Sequence, residues 1–379
     1  MKFTFFVSFL ICFGFIFSQN TEVRTVNIDG TVRTYRLYVP SIYNGNQAVP
    51  LVLNFHGYTS SAFEQENYGD FRPIADTANF ILVHPEGLNG GTGNFWNSFS
   101  TVDMSNYDYQ FVSRLIDSLK IEFAIDEARI YSTGLSNGGF FSYDLACFMN
   151  EKFAAIASVS GSMISQHENL CNPTRKVPVM QIHGTADQVV TYSGTGGIIA
   201  CVGAEALVSS WVERNECSTV PSITNLPNSN TTDNSTVTHY VYEGANTSVE
   251  FYKITAGGHT WPGASFTVVG QNTNQDFSAS KEIWRFFNQY SLNQISASTN
   301  ELHEKNITFF PNPVSNEFTI KINGQKNDDI KIYDNLGELI FENKVENTEF
   351  FSVNTQLFEP GIYFVKVGEV VMKFLVDSK

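Results

Sequence analysis

Three short blocks carry the residue types that hydrolytic chemistry requires: Gly134-Leu135-Ser136-Asn137-Gly138-Gly139, His183-Gly184-Thr185-Ala186-Asp187 and Gly257-Gly258-His259-Thr260-Trp261-Pro262-Gly263. A serine hydroxyl is a weak nucleophile at neutral pH. It becomes competent when an imidazole takes its proton and a carboxylate fixes the tautomer of that imidazole. Ser136 reads as the nucleophile, Asp187 as the acid and His259 as the base. This order along the chain differs from the His-Asp-Ser and Asp-His-Ser orders of two other serine hydrolase designs.

Ser136 lies between a run ending at Thr133 that reads as a strand and a segment opening at Gly138 that reads as a helix. Flanking glycines permit the tight turn that lifts a hydroxyl above a sheet; without that context the same serine is a surface loop residue. The helix start aims its first amides at the reacting carbonyl, so the Asn137 N–H is the first candidate oxyanion donor. The second is the backbone N–H of Tyr58, which follows His56-Gly57 at the end of an apolar run. Asp187 stands in a loop after another such run, where the competing role is a turn residue capping the next segment. His183, just inside that run, reads as structural. His259 has glycine-rich surroundings that His167, His239 and His303 lack, and His84 is expected to be a hydrogen-bonded structural residue. Trp261 and Trp96 are candidate apolar walls for an aryl or acyl group, with core packing as the alternative. Asp103 and Asp108 are expected to act as a turn residue and a helix N-cap.

These groups need elements to hold them. Pro50 to Phe55 is almost wholly apolar, as a parallel strand buried on both faces should be, and similar strands are read at Phe80 to Val83, Ile130 to Thr133, Ala154 to Val159, Val177 to Ile182 and Val249 to Ile254. Phe111, Leu115, Leu119 and Phe123 recur at helical spacing, and Ile283, Trp284, Phe286 and Phe287 mark a terminal helix. Two strands around the Asp29-Gly30 turn precede them. Alternating strands and helices predict a doubly wound, mostly parallel α/β sheet. Residues 293–306 are polar and aperiodic and read as a linker. Residues 307–379 are short strands broken by turns such as Asn323-Gly324 and Glu359-Pro360-Gly361, which predicts a small β-sandwich.

A chain of 379 residues accommodates such a core plus a smaller domain. With 42% hydrophobic and 16% charged residues it is globular, and a net charge of -15 without Lys/Arg-rich runs argues against nucleic acid and anionic membranes as partners. Lys2 and the apolar run from Phe3 to Phe17 predict a secretory signal over residues 1–18, shorter than the roughly 20 residues of a spanning helix and so no permanent membrane anchor. Beyond it lie Cys147, Cys171, Cys201 and Cys217. Four cysteines allow three pairings; the sequential ones, Cys147 with Cys171 and Cys201 with Cys217, are expected, with buried free thiols as the alternative. Their spacing fits no zinc site.

Taken together, His56-Gly57, His84-Pro85-Glu86-Gly87, Arg129-Ile130-Tyr131 and the three blocks above resemble the polyhydroxybutyrate depolymerase-like esterases, which are similar to feruloyl and acetylxylan esterases of carbohydrate esterase family 1. The resemblance covers about Val23 to Tyr290. It implies an α/β-hydrolase esterase domain over residues 23–292, ester hydrolysis through an acyl-enzyme on Ser136, Asp187 and His259, and neither metal nor cofactor. Phe310-Pro311-Asn312-Pro313, Ile332-Tyr333-Asp334 and Gly361-Ile362-Tyr363-Phe364-Val365-Lys366-Val367 resemble the C-terminal sorting domain of type IX secretion substrates. That implies residues 307–379 engage the type IX secretion machinery and that the protein is secreted, extracellular or at the cell surface. The expected substrate is an ester, polymeric or soluble, with feruloyl or acetyl esters of plant polysaccharide ahead of polyhydroxyalkanoate or another polyester. The reading from a different class is a non-catalytic secreted binding protein on the same fold, and it predicts an unreactive Ser136.

Overall fold

A computed structural model describes residues 21–376 except 100–106, 196–199, 267, 269, 293–306, 311–313, 315, 323–326, 335–337, 347–349, 357 and 368–369. The expected signal segment, the expected linker and Asp103 lie outside the described residues. Contacts divide the chain into two units, Met1–Ser298 and Thr299–Lys379.

In the first unit β1 (Glu22–Ile28) and β2 (Thr31–Tyr38) form a hairpin, followed by β3 (Val49–Phe55), α1 (Ala62–Tyr68), α2 (Arg72–Ala78) and β4 (Ile81–Pro85). The two-residue strands β5 (Leu88–Asn89) and β6 (Asn94–Phe95) pair with each other. Then come α3 (Tyr107–Glu122), β7 (Ile125–Leu135), α4 (Asn137–Phe148), β8 (Ala155–Val159), α5 (Ser165–Leu170), β9 (Val179–Gly184) and α6 (Ala204–Arg214). The unit closes with β10 (Ser222–Asn225), β11 (Thr236–Gly244), β12 (Thr247–Thr255) and α7 (Ala279–Phe287). Ten strands make one sheet in the order β1-β2-β4-β3-β7-β8-β9-β12-β11-β10. Its centre, β4 to β12, is parallel, and antiparallel strands finish both edges.

Alternate residues of each central strand enter different cores, which is why these strands lack polar faces. Leu51, Leu53, Ile81, Val83, Ile130 and Ile156 pack with Phe111 and Leu115 of α3, Leu145 of α4 and Trp211 of α6. Val52, Leu82, Tyr131, Ala157 and Ile182 pack with Ala75 of α2 and Ile283 and Phe286 of α7 on the other side. Helices therefore cover both faces, as the alternation predicts. From β3 the chain steps to β4 on one side and to β7 on the other, so the winding reverses there. In open α/β sheets a crevice opens at such a reversal beyond the carboxyl ends of the strands.

Cys147 and Cys171 form a disulfide with Cα atoms 5.0 Å apart, tying α4 to the end of α5. Cys201 and Cys217 are free and buried, which corrects the second expected pair. The eleven residues of α6 lie between them. That helix is about 16 Å long, whereas bridged Cα atoms lie within about 7 Å. Cys201 packs with Phe140 and Val190, and Cys217 belongs to the core that contains Trp211.

The second unit has a three-stranded and a four-stranded antiparallel sheet, whose strands contribute Phe318, Ile320, Ile330, Ile332, Val353, Val365 and Phe374 to a core of their own. This is the small β domain that the short strands predict.

Candidate active site

Ser136, Asp187 and His259 follow the carboxyl ends of β7, β9 and β12, three parallel strands of one sheet, so all three emerge at the same edge. Ser136 sits at the turn between β7 and α4 with φ 54° and ψ -121°. A side chain in that region is strained, and the strain is held by the Ser136 amide donating to the Val159 carbonyl at 2.9 Å. The turn is tight enough to demand glycine. A methyl group on Gly138 would lie 2.2 Å from the Phe55 carbonyl oxygen.

The loop after β3 meets this turn at the winding reversal. A methyl group on Gly57 would lie 3.5 Å from Ser136 Cβ. Tyr58 comes next, with its ring half exposed and its hydroxyl 2.8 Å from Thr92 Oγ1. Asn137 is the first residue of α4, so its amide is among those that a helix start leaves without an intrahelical acceptor.

His259 Nδ1–H donates to Asp187 Oδ2 at 2.7 Å. The other carboxylate oxygen accepts the amides of Val189 and Val190, each at 2.9 Å. The ring's tautomer is thereby set with Nε2 free of the proton, as a base requires. His183 is buried beside them. Its Nε2–H donates to the Val190 carbonyl at 2.8 Å and its Nδ1 accepts from Gln181 at 2.9 Å, so it braces the acid loop as a neutral ring, its pKa pushed down by burial. Gln271 and Asn272 support the base without any local signal in the sequence. Gln271 Oε1 accepts the His259 amide at 2.8 Å and the Asn272 carbonyl accepts that of Gly258 at 2.8 Å, holding the base loop from a later segment in which no motif is visible.

The two tryptophans expected as cleft walls are core residues. Trp96 is 0% exposed, lies against Phe55, Phe111 and Phe141, and spends its indole N–H on the His56 carbonyl. Trp261 is 1% exposed, packs edge-on to Phe71, and donates its indole N–H to Ser280 Oγ at 3.1 Å. With faces and N–H groups both used internally, neither offers a surface to a ligand. His84 is also corrected: it is buried with neither ring nitrogen hydrogen-bonded, and burial pushes its pKa down to about 3. Asp108 is the second residue of α3, not its cap. Its carboxylate takes Arg33 at 2.9 Å and the Asn97 amide at 2.9 Å.

A family model described as phospholipase/carboxylesterase matches residues 42–221, a span that includes Ser136 and Asp187. The match covers a little under half of the chain. The model of the secretion system C-terminal sorting domain matches residues 308–374, and the tail of this chain is a domain of that kind. Among curated proteins, a bifunctional acetylxylan esterase/xylanase of Neocallimastix patriciarum is 29% identical over 72% of this chain and 35% of its own length. Feruloyl esterase B of Piromyces equi is 28% identical over 58% of this chain and 41% of its own. The chain thus spans well under half of these relatives. The solved acetyl xylan esterase of Aspergillus awamori superposes with a TM-score of 0.51 at 14% identity, over 71% of this chain and 99% of that one, a likeness of fold.

Proposed function

We propose that this chain is a secreted serine esterase that acts through an acyl-enzyme on feruloyl or acetyl esters of plant polysaccharide. The observation that carries the reading is the Asp187–His259 hydrogen bond at 2.7 Å on the same sheet edge as Ser136, whose backbone is held at φ 54°. His259 Nε2 takes the proton of Ser136 Oγ as that oxygen attacks the ester carbonyl. The carbonyl oxygen gains negative charge, which the Tyr58 and Asn137 amides stabilise; one such donor contributes about 3 to 4 kcal/mol to the transition state. Collapse of the intermediate expels the alcohol, protonated by His259, and leaves the acyl group on Ser136. Water then attacks the acyl-enzyme with His259 again as base.

The substrate class draws support from the acetylxylan and feruloyl esterases that the chain resembles, and export through the type IX machinery from its sorting domain. The test is hydrolysis of p-nitrophenyl acetate, methyl ferulate, acetylated xylan and polyhydroxybutyrate by the wild-type chain and by Ser136→Ala. Turnover of acetate or ferulate esters that the variant lacks supports the proposal. Turnover of polyhydroxybutyrate alone replaces the substrate with a polyester, and a folded wild-type chain inert on the whole panel points to a binding protein.

A further inference from the structure

The amides of Tyr58 and Asn137 come from different segments, one after β3 and the other at the start of α4, yet both must meet one oxygen atom. Hydrogen bonds from the two segments converge on Trp96. Asn137 Oδ1 accepts the Trp96 backbone N–H at 2.7 Å, and Asn137 Nδ2 donates to the Trp96 carbonyl at 3.0 Å. The Trp96 indole N–H donates to the His56 carbonyl at 3.0 Å. His56 Nδ1–H in turn donates to the Gly57 carbonyl at 2.7 Å, while its Nε2 accepts the Gly87 amide at 2.9 Å. The ring is neutral, its pKa pushed down to about 4 by burial, which suits one donating and one accepting nitrogen.

The Gly57 carbonyl and the Tyr58 N–H belong to the same planar peptide unit and point in opposite directions. Fixing that carbonyl fixes the direction of the Tyr58 N–H. Trp96 itself has little freedom: its ring is stacked 5.1 Å from Phe141 and lies edge-on to Phe55 at 4.9 Å, and the amide of the next residue is held by Asp108 Oδ2 at 2.9 Å.

We propose that Trp96 is a positioning residue for the oxyanion site, a bracket that joins the Asn137 side chain to the Gly57–Tyr58 peptide so that the two backbone donors keep one spacing. The inference rests on the serine esterase reading. It gives the buried indole, which touches no substrate, a role in the reaction through the amides it aligns.

Trp96→Phe keeps an aromatic ring between Phe55 and Phe141 and removes the bond to His56. Asn137→Ala keeps the backbone amide and removes both bonds to Trp96. The measurements are kcat and KM on p-nitrophenyl acetate, the inhibition constant of an aryl boronic acid that forms a tetrahedral adduct on the serine, and the melting temperature. Misaligned donors act on the transition state alone, so kcat is expected to fall by about 10- to 100-fold with KM within about threefold, and the boronic acid to weaken in parallel with kcat. A bracket with only a structural role lowers the melting temperature and leaves kcat of the folded protein and boronic acid affinity unchanged, which overturns the inference. If Trp96→Phe does not fold, Asn137→Ala decides by the same two results. An inert wild-type chain overturns the esterase reading together with the bracket, whereas an active wild type with unaffected variants removes the bracket alone.

Discussion

Asp187 divides its two oxygens: Oδ2 accepts His259 Nδ1–H at 2.7 Å, and Oδ1 accepts the amides of Val189 and Val190 at 2.9 Å. The carboxylate is anchored to its own loop by backbone donors, so the orientation of the His259 ring is set from the end of β9. Asp187→Asn preserves an acceptor for the two amides but turns an NH2 group toward Nδ1, which forces the proton onto Nε2. The expected result is a fall in kcat of about 10³- to 10⁴-fold with the fold intact, read by ester kinetics beside a thermal melt.

At the nucleophile turn the spacing is set by backbone. Because a methyl group at Gly138 would come 2.2 Å from the Phe55 carbonyl oxygen, Gly138→Ala has to push α4 away from β3. A loss of more than about 2 kcal/mol of stability is expected, with activity lost alongside it. Denaturant unfolding followed by ester hydrolysis at permissive temperature checks both.

His84 occupies a buried place in β4 with no hydrogen-bond partner for either nitrogen. Burial lowers its folded pKa to about 3, so its contribution to stability is present above the unfolded value near 6.5 and is lost as pH falls from there toward about 3. His84→Leu is expected to gain about 1 kcal/mol at neutral pH and to lose less stability on acidification than the wild type, measured as unfolding free energy at a series of pH values.

Among the cysteines, the link between Cys147 and Cys171 spans a sequence separation of 24, for which the loop-entropy relation gives about 3.5 kcal/mol of stabilisation. Non-reducing peptide mapping is expected to recover those two peptides joined. Cys201 and Cys217 are expected to alkylate only after unfolding, since both are buried. Recovery of a Cys201–Cys217 peptide would contradict the arrangement.

The parts of the site visible in the sequence are those fixed by local chemistry. Strands such as Pro50 to Phe55 announce themselves because both faces are buried, and Ser136, Asp187 and His259 each stand just beyond a strand in a glycine-containing turn. Contacts between distant segments left no such trace. Gln271 holds His259 through one side-chain oxygen, and nothing in its neighbours marks it. Cys201 and Cys217 look like partners by spacing until α6 is placed between them. Trp96 follows β6, a strand of two residues, too short to show a period, so its burial depends on pairing with β5 and on Phe141 of α4.

The central claim is that Ser136 is an activated nucleophile, and labelling with a fluorophosphonate followed by peptide mass spectrometry tests it most directly. A single adduct on Ser136, formed rapidly in the wild-type chain and slowly in His259→Ala, is the result expected. A folded wild-type chain that takes no label, or takes it on another serine, contradicts the account.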